Sequence, residues 1–442
     1  MSLLYCFRGT AGRDLTPEMM AKLGGIAACH FRREGHAEIS VAGDYRVSTK
    51  ALKTSLMGGL AGGGMTVYDC GVLPSGAIAA WGKRSAQPSC MVTASHNPPE
   101  WNGVQFMEAD SHIWSPALED NAKAALEQPF HWPRWDDCAE IIPRDEVLDH
   151  YVDWIEDMSN PAGSRKVVID PGGGSGIPGA ARVLERIGME VVVINGEPDG
   201  LFRCRPSEPR PEYLGDLSRA VVEHGADIGI ALDGDADRIV TFDERGAYVR
   251  PDYTIEVLCR TQRQPGPAVL NVGVSLHTTA ALREMDFEIL PARWGQTFIA
   301  QKIKDEGAVF SAEPDGHFGF PELSLRGDAL ASAALLCSAL THDARSYSAI
   351  IAAMPAINII DERVEWDHDF VDYADEVQAL MEREYAEVLR IHERLLMATD
   401  DDHKLIARQS PFDSTLRLSA ESYADKSAEQ MIEEVLTITG RA

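Results

Sequence analysis

Short apolar runs alternate with helical stretches along most of the chain, and the same order of elements occurs three times. The strands are predicted at residues 38–42, 65–69, 89–93, 166–169, 190–194, 227–232, 268–272, 288–290 and 309–312. Helices are predicted at residues 48–62, 78–84, 180–187 and 217–224, and Thr16-Pro17-Glu18 has the cap hydroxyl, proline and acid of a helix start. Such alternation predicts parallel sheets covered on both faces, with ligand-binding loops at the carboxyl ends of the strands.

The last part of the chain has a different pattern. Residues 361–392 are charged and predicted to be helical, and an acidic break follows at 400–402. A short strand around 417–418 and a final helix at 429–437 complete a small α+β unit. We therefore expect an α/β protein with three doubly wound domains, whose sheets are parallel or mixed, at 1–150, 151–250 and 251–360. The α+β domain occupies 361–442, and without a long linker the four domains should pack around one central cleft.

Composition excludes several classes of protein. The 442 residues are 45% hydrophobic and carry a formal charge of −28, which argues against a protein that binds nucleic acid through a basic surface. The eight cysteines have no paired spacing and are expected to be free thiols of a reducing cytosol. The apolar run at 329–340 is too short to span a membrane and predicts a buried helix, so we expect a cytoplasmic protein without a membrane partner.

One loop after a predicted strand contains a serine whose neighbours would hold it in place. Residues 93–103 read TASHNPPEWNG, in which Ser95 is flanked by a histidine, an asparagine and a rigid Pro-Pro turn. Serine is a weak nucleophile unless it is activated, but its phosphate ester can store a transferable group. The loop alone is equally consistent with a polar turn that only joins two elements.

A second loop contains three carboxylates. Asp233, Asp235 and Asp237 alternate in an extended loop, so their side chains should lie on one side. Two such charges about 4 Å apart repel by roughly 4 kcal/mol at an effective dielectric of about 20, so a cation is expected. Oxygen ligands favour Mg²⁺ or Ca²⁺. An EF-hand is excluded because its sixth position would be Arg238 instead of glycine and its flanks are strands, but a solvated acidic turn stays open.

A third loop follows the strand predicted at 309–312. Glu313, Asp315 and His317 could bind sugar hydroxyls or transfer protons. Taken alone, these residues are also typical of a plain surface turn.

Together these motifs resemble the α-D-phosphohexomutase family, which includes phosphomannomutases and phosphoglucomutases. The resemblance runs along nearly the whole chain, from FRGTAGR at 7–13 and GDYR at 43–46 to TASHNP at 93–98 and DGDADR at 233–238. It implies four domains around a cleft, a phosphoryl group on Ser95, and Mg²⁺ held by that serine with the three aspartates. A hexose 1,6-bisphosphate would be the intermediate and activator.

The resemblance also implies the roles of single residues. The catalytic residues would be Ser95, His96, Arg238 and His317. The substrate-binding residues would be Arg8, Arg13, Arg293, Glu313, Asp315, His317, Arg408, Ser410 and Arg417.

The chain departs from the family pattern at three places. Gln105 stands where the family usually has a lysine, and it cannot exchange a proton at neutral pH. Asp315 replaces the serine of the sugar loop, and the last phosphate loop reads RQSPFDS at 408–414, in which Pro411 has no backbone N–H to donate. We therefore expect His317, whose reference pKa is about 6.5, to be the main proton-transfer group.

The function expected from the sequence is the interconversion of hexose 1-phosphate and hexose 6-phosphate, with mannose or glucose as the sugar. The alternatives are a phosphoglucosamine mutase and a non-catalytic protein that binds sugar phosphates. The expected partner is a small phosphosugar, and the protein is expected to be a monomer or a dimer.

Overall fold

The computed structural model describes residues 7–260, 265–366, 368–409, 414–424 and 426–439. The first sheet has the order β6-β4-β2-β3-β7, and a small ribbon pairs β1 with β5. The strands of the sheet and of the ribbon are β1 (Gly9–Thr10), β2 (Glu38–Gly43), β3 (Thr66–Val72), β4 (Ser89–Val92), β5 (Trp101–Asn102), β6 (Val104–Met107) and β7 (Ile141–Pro143). The helices are α1 (Pro17–Arg33), α2 (Thr49–Gly62), α3 (Ser75–Ser85), α4 (Pro116–Leu126) and α5 (Val147–Met158).

The two predicted helix starts in this part of the chain differ in their capping. Thr16 caps α1 as predicted, because its hydroxyl accepts a hydrogen bond from the N–H of Met19 at 3.2 Å. Ser48 precedes α2 as predicted but makes no side-chain cap bond. Its hydroxyl instead accepts a hydrogen bond from the Asn102 amide at 2.8 Å, which ties this helix start to the end of the serine loop.

The second and third sheets repeat this arrangement. The second has the order β12-β11-β10-β8-β9 and the third the order β14-β13-β15-β16. The strands are β8 (Lys166–Asp170), β9 (Glu190–Val193), β10 (Ile228–Leu232), β11 (Ile239–Asp243), β12 (Tyr248–Val249), β13 (Pro267–Asn271), β14 (Glu288–Ala292), β15 (Phe310–Ala312) and β16 (Phe318–Gly319). The helices are α6 (Ile177–Arg186), α7 (Gly215–His224), α8 (Pro251–Cys259), α9 (Leu276–Glu284), α10 (Gln296–Glu306), α11 (Ala329–Thr341) and α12 (Tyr347–Ala352).

The three sheets place their functional loops in the same way. In each sheet a parallel strand ends at a loop, and the next strand of the sheet returns antiparallel to it. The serine loop (93–103) follows β4, the metal loop (233–238) follows β10 and the sugar loop (313–317) follows β15. Each loop therefore lies at the carboxyl end of the parallel strands, as the sequence predicts.

The fourth sheet is antiparallel, with the order β17-β21-β20-β19-β18. Its strands are β17 (Ile359–Glu365), β18 (Glu387–His392), β19 (Leu395–Thr399), β20 (His403–Gln409) and β21 (Thr415–Ser422). Two helices, α13 (Val371–Glu384) and α14 (Ala428–Ile438), cover the face that presents Leu416, Leu418 and Ala420.

The prediction that residues 361–392 are helical is wrong at both ends. Only α13 is a helix there, whereas β17 pairs with β21 and β18 pairs with β19. Both misassigned segments are edge strands, and edge strands commonly carry exposed charges that discourage pairing with other chains. Their charged residues therefore resembled the solvated face of a helix.

The apolar helix α11 lies inside the molecule, as predicted from the run at 329–340. It packs against α6 and α8, and its buried residues share one core with residues of the first three sheets. Among the residues that the structure describes, no helix combines the length and the apolar composition needed to cross a membrane.

Candidate active site

The serine loop is held by a buried arginine that the sequence analysis did not single out. The Arg46 guanidinium is paired with Asp44 at 3.0 Å and donates hydrogen bonds to the carbonyl of Ser95 at 2.7 Å and to that of Asn97 at 2.6 Å. It also donates to the carbonyls of Pro98 and Trp101. Ser95 has a positive φ of 51°, a conformation that persists only where the surroundings impose it.

The three aspartates of the metal loop converge on Ser95. Ligand atoms of Asp233, Asp235 and Asp237 all lie within 4.8 Å of one another, and the three residues are buried. The Ser95 hydroxyl donates a hydrogen bond to Asp233 Oδ2 at 2.9 Å. The four residues that the sequence analysis assigned to a metal therefore occupy one site.

The donor set fits a hard divalent cation. Burial, together with the carboxylates of Asp237 and Asp235, raises the pKa of Asp233 well above its usual value. Asp235 Oδ2 accepts a hydrogen bond from Ser75 at 2.8 Å, whereas its Oδ1 is buried and has no hydrogen-bond donor within the described part of the chain. Crowded oxygen ligands with an unsatisfied atom suit Mg²⁺, which would relieve the repulsion between the carboxylates.

His96 and Arg238 lie beside the serine. His96 Nδ1 is 3.3 Å from Ser95 Oγ and contacts the Arg238 guanidinium. Arg238 also forms an ion pair with Asp233 at 3.4 Å. Burial and the charges of Arg238 and Arg8 lower the pKa of His96 to about 2, so this imidazole is neutral at physiological pH.

The sugar loop adjoins the metal loop. Both ring nitrogens of His317 face carboxylates, with Nδ1 2.8 Å from Asp315 and Nε2 3.1 Å from Asp237. Glu313 accepts a hydrogen bond from Gln296 at 2.9 Å, and burial followed by the Asp315 charge raises the pKa of Glu313 to about 7.

Two glycines allow the three loops to come this close together. A Cβ on Gly234 would lie 2.5 Å from the Ser95 carbonyl oxygen, between the metal and serine loops. A Cβ on Gly316, where φ is +96°, would lie 2.1 Å from the Ile239 carbonyl oxygen, between the sugar and metal loops. The backbones of the three loops are therefore in direct contact.

The predicted substrate-binding arginines are spread around this centre. Arg8 donates a hydrogen bond to Asn97 of the serine loop at 3.4 Å. Arg13 is largely exposed and pairs with Asp14 at 2.8 Å. The Arg293 guanidinium lies over the Phe298 ring, and that of Arg408 lies over the Trp294 ring at 4.1 Å.

Arg408 and Arg417 belong to a row of cations that crosses the fourth sheet. Arg408 pairs directly with Arg417, and Arg417 pairs with Arg363 on its other side. Directly opposed residues point to the same face of a sheet, so three like charges lie side by side there. Arg363 was not predicted, and the predicted Ser410 lies outside the described residues.

Two further residues were missed by the sequence analysis. Arg326 is buried and donates to Asp237 at 3.0 Å, and Ser75 donates to Asp235. Both partners are distant in sequence, and neither residue stands in a recognisable motif. Only Arg46, in the quoted GDYR segment, had a signal from which a role could have been found.

Comparison with known proteins gives a consistent result. Residues 5–129, 149–246 and 251–357 match the family models for phosphoglucomutase/phosphomannomutase alpha/beta/alpha domains I, II and III. A protein of Methanopyrus kandleri named probable phosphoglucosamine mutase is 31% identical, with 98% of this chain and 96% of that protein covered. A phosphoglucomutase/phosphomannomutase of Thermococcus kodakarensis is 26% identical, with 96% and 95% covered.

The solved structures agree on the fold. The crystal structure of a phosphoglucomutase/phosphomannomutase family protein from Burkholderia thailandensis superposes with a TM-score of 0.87 at 24% identity, and covers 98% of this chain and 96% of that chain. With three matched domains and a relative that is similar over its whole length, this chain belongs to the α-D-phosphohexomutase family.

Proposed function

We propose that this member of the family is a magnesium-dependent mutase that moves a phosphoryl group between positions 1 and 6 of a hexose. Ser95 is the proposed carrier. The observation that carries the proposal is the position of the Ser95 hydroxyl, 2.9 Å from a buried aspartate of the triad and 3.3 Å from a neutral histidine.

The proposed reaction has two phosphoryl transfers. In the first, the bond between phosphorus and the Ser95 oxygen breaks while a sugar hydroxyl oxygen bonds to phosphorus, which yields a sugar bisphosphate and a free serine. After the bisphosphate turns around in the cleft, the Ser95 oxygen bonds to the other phosphorus while the bond from that phosphorus to the sugar oxygen breaks, which leaves a sugar monophosphate and restores the phosphoserine. Mg²⁺ held by the triad would neutralise charge on the phosphoryl group, and Arg238 lies where it can do the same.

His317 is the proposed proton-transfer group. Although burial opposes the shift, Asp315 and Asp237 raise the pKa of His317 well above its usual value, so it is proposed to give a proton to the oxygen that leaves phosphorus and to recover one from the attacking hydroxyl. Its ring is fixed between two carboxylates at 2.8 and 3.1 Å, so its orientation is set before a substrate enters. Gln105, the neutral residue at the position of the family lysine, cannot take this role. We propose that Glu313 and Asp315 bind the sugar from the same loop.

The row formed by Arg363, Arg408 and Arg417 is the proposed anchor for the phosphate that is not being transferred. Three arginines at paired positions on one face of the sheet concentrate positive charge, which would attract a phosphate dianion and bind it through charge-assisted hydrogen bonds. Arg8, Arg13 and Arg293 are proposed to help hold the substrate.

Glucosamine phosphate is the substrate that we propose first. The sequence analysis favoured mannose or glucose, but the Methanopyrus kandleri relative is named a probable phosphoglucosamine mutase. In addition, Asp315 places a partly exposed carboxylate in the sugar loop, where it would attract the ammonium group of an amino sugar. Mannose or glucose is the second candidate, because the Thermococcus kodakarensis relative is named a phosphoglucomutase/phosphomannomutase.

A side-by-side assay separates the two substrates. We would measure kcat/KM for glucosamine, glucose and mannose 1-phosphates, each with a trace of the matching bisphosphate and saturating Mg²⁺. We expect the highest kcat/KM with glucosamine 1-phosphate, and a larger loss of that activity than of the other two in Asp315→Ser. A higher kcat/KM with glucose or mannose would favour the second candidate, and no conversion of any of the three would contradict the proposed mutase.

A further inference from the structure

Arg326 is a buried cation between the serine-loop sheet and the metal loop. Its side chain is 1% exposed. Nη1 donates a hydrogen bond to the Gln105 amide oxygen at 2.9 Å, and Nη2 donates to Asp237 Oδ2 at 3.0 Å. One guanidinium group therefore joins a strand of the first sheet to an aspartate of the proposed metal site.

The backbone around Arg326 is fixed from several directions. The N–H of Leu325 donates to Ser111 Oγ and the N–H of Gly327 donates to Gln296 Oε1, both at 2.9 Å. Asp328 accepts a hydrogen bond from Tyr151 at 2.5 Å and caps α11. Because every neighbour of Arg326 in the chain is tied to another element, the guanidinium has a rigid base.

The backbone also lies directly against the metal loop. A Cβ on Gly327 would lie 2.8 Å from the carbonyl oxygen of Asp237. Arg326 thus reaches the Asp237 carboxylate from a segment that already contacts the backbone of the same aspartate. The position of the Arg326 segment therefore fixes the position of Asp237.

We propose that Arg326 is a positioning residue that sets the orientation of the Asp237 carboxylate for magnesium, a role that rests on the proposed function. With Arg326 on Oδ2, the oxygen left for a metal is Oδ1, which accepts no hydrogen bond among the described residues and lies 3.1 Å from His317 Nε2. The planar guanidinium donates along two fixed directions, so it fixes the rotation of the carboxylate in a way that a lysine ammonium cannot. Residues that orient metal ligands contribute strongly to the affinity of a site for its metal.

The hydrogen bond to Gln105 links Arg326 to the sheet that carries the serine loop. Gln105 lies in β6 directly opposite Met91 of β4, the strand that ends at the serine loop. Arg326 itself belongs to the segment between β16 and α11 in the third domain. The side chain therefore joins the strand beside the serine-loop strand to the metal loop, from a segment of the third domain.

The test is magnesium binding to Arg326→Lys and Arg326→Met, measured by isothermal titration of the full-length protein with MgCl₂. We expect the Kd for Mg²⁺ to rise by about 10- to 100-fold in both variants, the range found when a residue that orients a metal ligand is replaced. The lysine variant keeps the charge and decides the question if the methionine variant does not fold.

Arg165→Met is the matched control. Arg165 pairs with Asp227 at 3.4 Å and donates to the Leu340 carbonyl at 2.8 Å, but it lies at the amino end of β8, away from the loops. We expect it to lower Tm without changing the Kd for Mg²⁺.

The outcomes separate the two proposals. Magnesium binding by both Arg326 variants that is as tight as in the wild type, or tighter, would overturn the positioning role even if Tm falls. A weakened Kd in the variants of a wild type that binds Mg²⁺ but converts no sugar phosphate would support the positioning role and overturn the proposed function alone.

Discussion

Asp235 is one of two aspartates of the triad with a buried carboxylate oxygen that accepts no hydrogen bond among the described residues; the other is Asp237. Oδ2 accepts a hydrogen bond from Ser75, whereas the buried Oδ1 has no donor among the described residues. Burial, then the charge of Asp237, raises the pKa of Asp235. These facts mark Asp235 as a residue that the fold leaves ready for a cation.

The Asp235→Asn variant should therefore lose activity and keep its fold. Asparagine has the same shape and keeps an acceptor for Ser75, but it removes one charged ligand, so we expect kcat to fall by about 100-fold or more. Because one of three crowded buried charges disappears, Tm without Mg²⁺ should not fall. Steady-state kinetics and calorimetry check both results.

Asp243→Asn is the control for this change. Asp243 is also buried, but it pairs with Arg245 at the end of β11 and lies outside the triad. This variant should lose stability and keep kcat. Full activity of Asp235→Asn would contradict the proposed role of Mg²⁺ in the reaction.

His317 is the residue that we propose to transfer protons in the active site. We expect His317→Gln to lower kcat by about 100- to 10,000-fold, the usual contribution of a proton-transfer group, because glutamine can hydrogen-bond but cannot exchange a proton. Gln105→Ala should have a much smaller effect on kcat. The two values of kcat, measured with the same sugar phosphate, check this, and equal losses would contradict it.

At the scale of single elements, the sequence predicted the strands that lead to chemistry. The buried strands β4, β10 and β15 are short apolar runs followed by polar loops, so both the element and the position of the loop could be predicted. The edge strands β17 and β18 could not. The partner of β17, β21, is distant in sequence, and β18, although its partner β19 follows directly, carries the charged residues of an exposed edge. Propensity alone does not settle such strands.

Among the site residues, the same distinction holds. Ser95 and the three aspartates stand in contiguous motifs, and the structure brings them together as predicted. Arg46 stands in the quoted GDYR segment, but the carbonyls that it binds could be identified only from the structure. The partner of Arg326, Asp237, is 89 residues away in sequence, and this contact exists only after the second and third domains have packed.

The row of arginines in the fourth sheet predicts a separate effect on substrate binding. Arg417 lies between Arg363 and Arg408, so Arg417→Ala should remove the central donor. We expect KM for the sugar phosphate to rise by about tenfold or more with a smaller change in kcat, because lost ground-state binding raises KM. Steady-state kinetics give both constants.

Arg390→Ala is the matched control for Arg417→Ala. Arg390 also lies in the fourth sheet, but it pairs with Asp375 at 2.7 Å on the edge strand β18. Its replacement should leave KM unchanged. An unchanged KM in Arg417→Ala would mean that the second phosphate binds elsewhere.

At the scale of the whole molecule, a buried polar cluster joins the fourth sheet to the third domain. Glu421 of β21 accepts hydrogen bonds from Ser275 Oγ at 2.5 Å and from the N–H of Leu276 at 2.9 Å, so it caps α9 from another domain. Lys404 of β20 donates to the carbonyl of Val274. The fourth sheet is thereby held against the helix that follows β13.

This cluster predicts a pH dependence of stability. Burial lowers the pKa of Lys404 from 10.5 to about 8, although Glu421 and Asp252 oppose the shift. Between these two values the unfolded chain holds more protons than the folded protein, so stability should rise as the pH rises through that window. The full effect of this pKa difference is about 3 kcal/mol.

Calorimetry of the wild type and of Lys404→Met from pH 7.5 to pH 10 isolates this contribution. The Tm of the wild type should rise relative to that of the variant as the pH increases, because methionine has no proton to lose. A difference in Tm that stays constant over the range would show that Lys404 does not titrate in this window.

The central claim is that Ser95 carries the phosphoryl group that the sugar receives. The most direct measurement starts from phosphorylated protein, adds sugar monophosphate and Mg²⁺, and follows the protein by tandem mass spectrometry and the sugar by chromatography. The account predicts that the starting phosphoryl group of Ser95, followed by an isotopic label, passes to the sugar as bisphosphate forms and is replaced by the other phosphoryl group of the sugar, and that Ser95→Ala has neither phosphate nor activity. A labelled phosphoryl group that stays on Ser95 over many turnovers and never enters the sugar, or a fully active Ser95→Ala, would contradict the account.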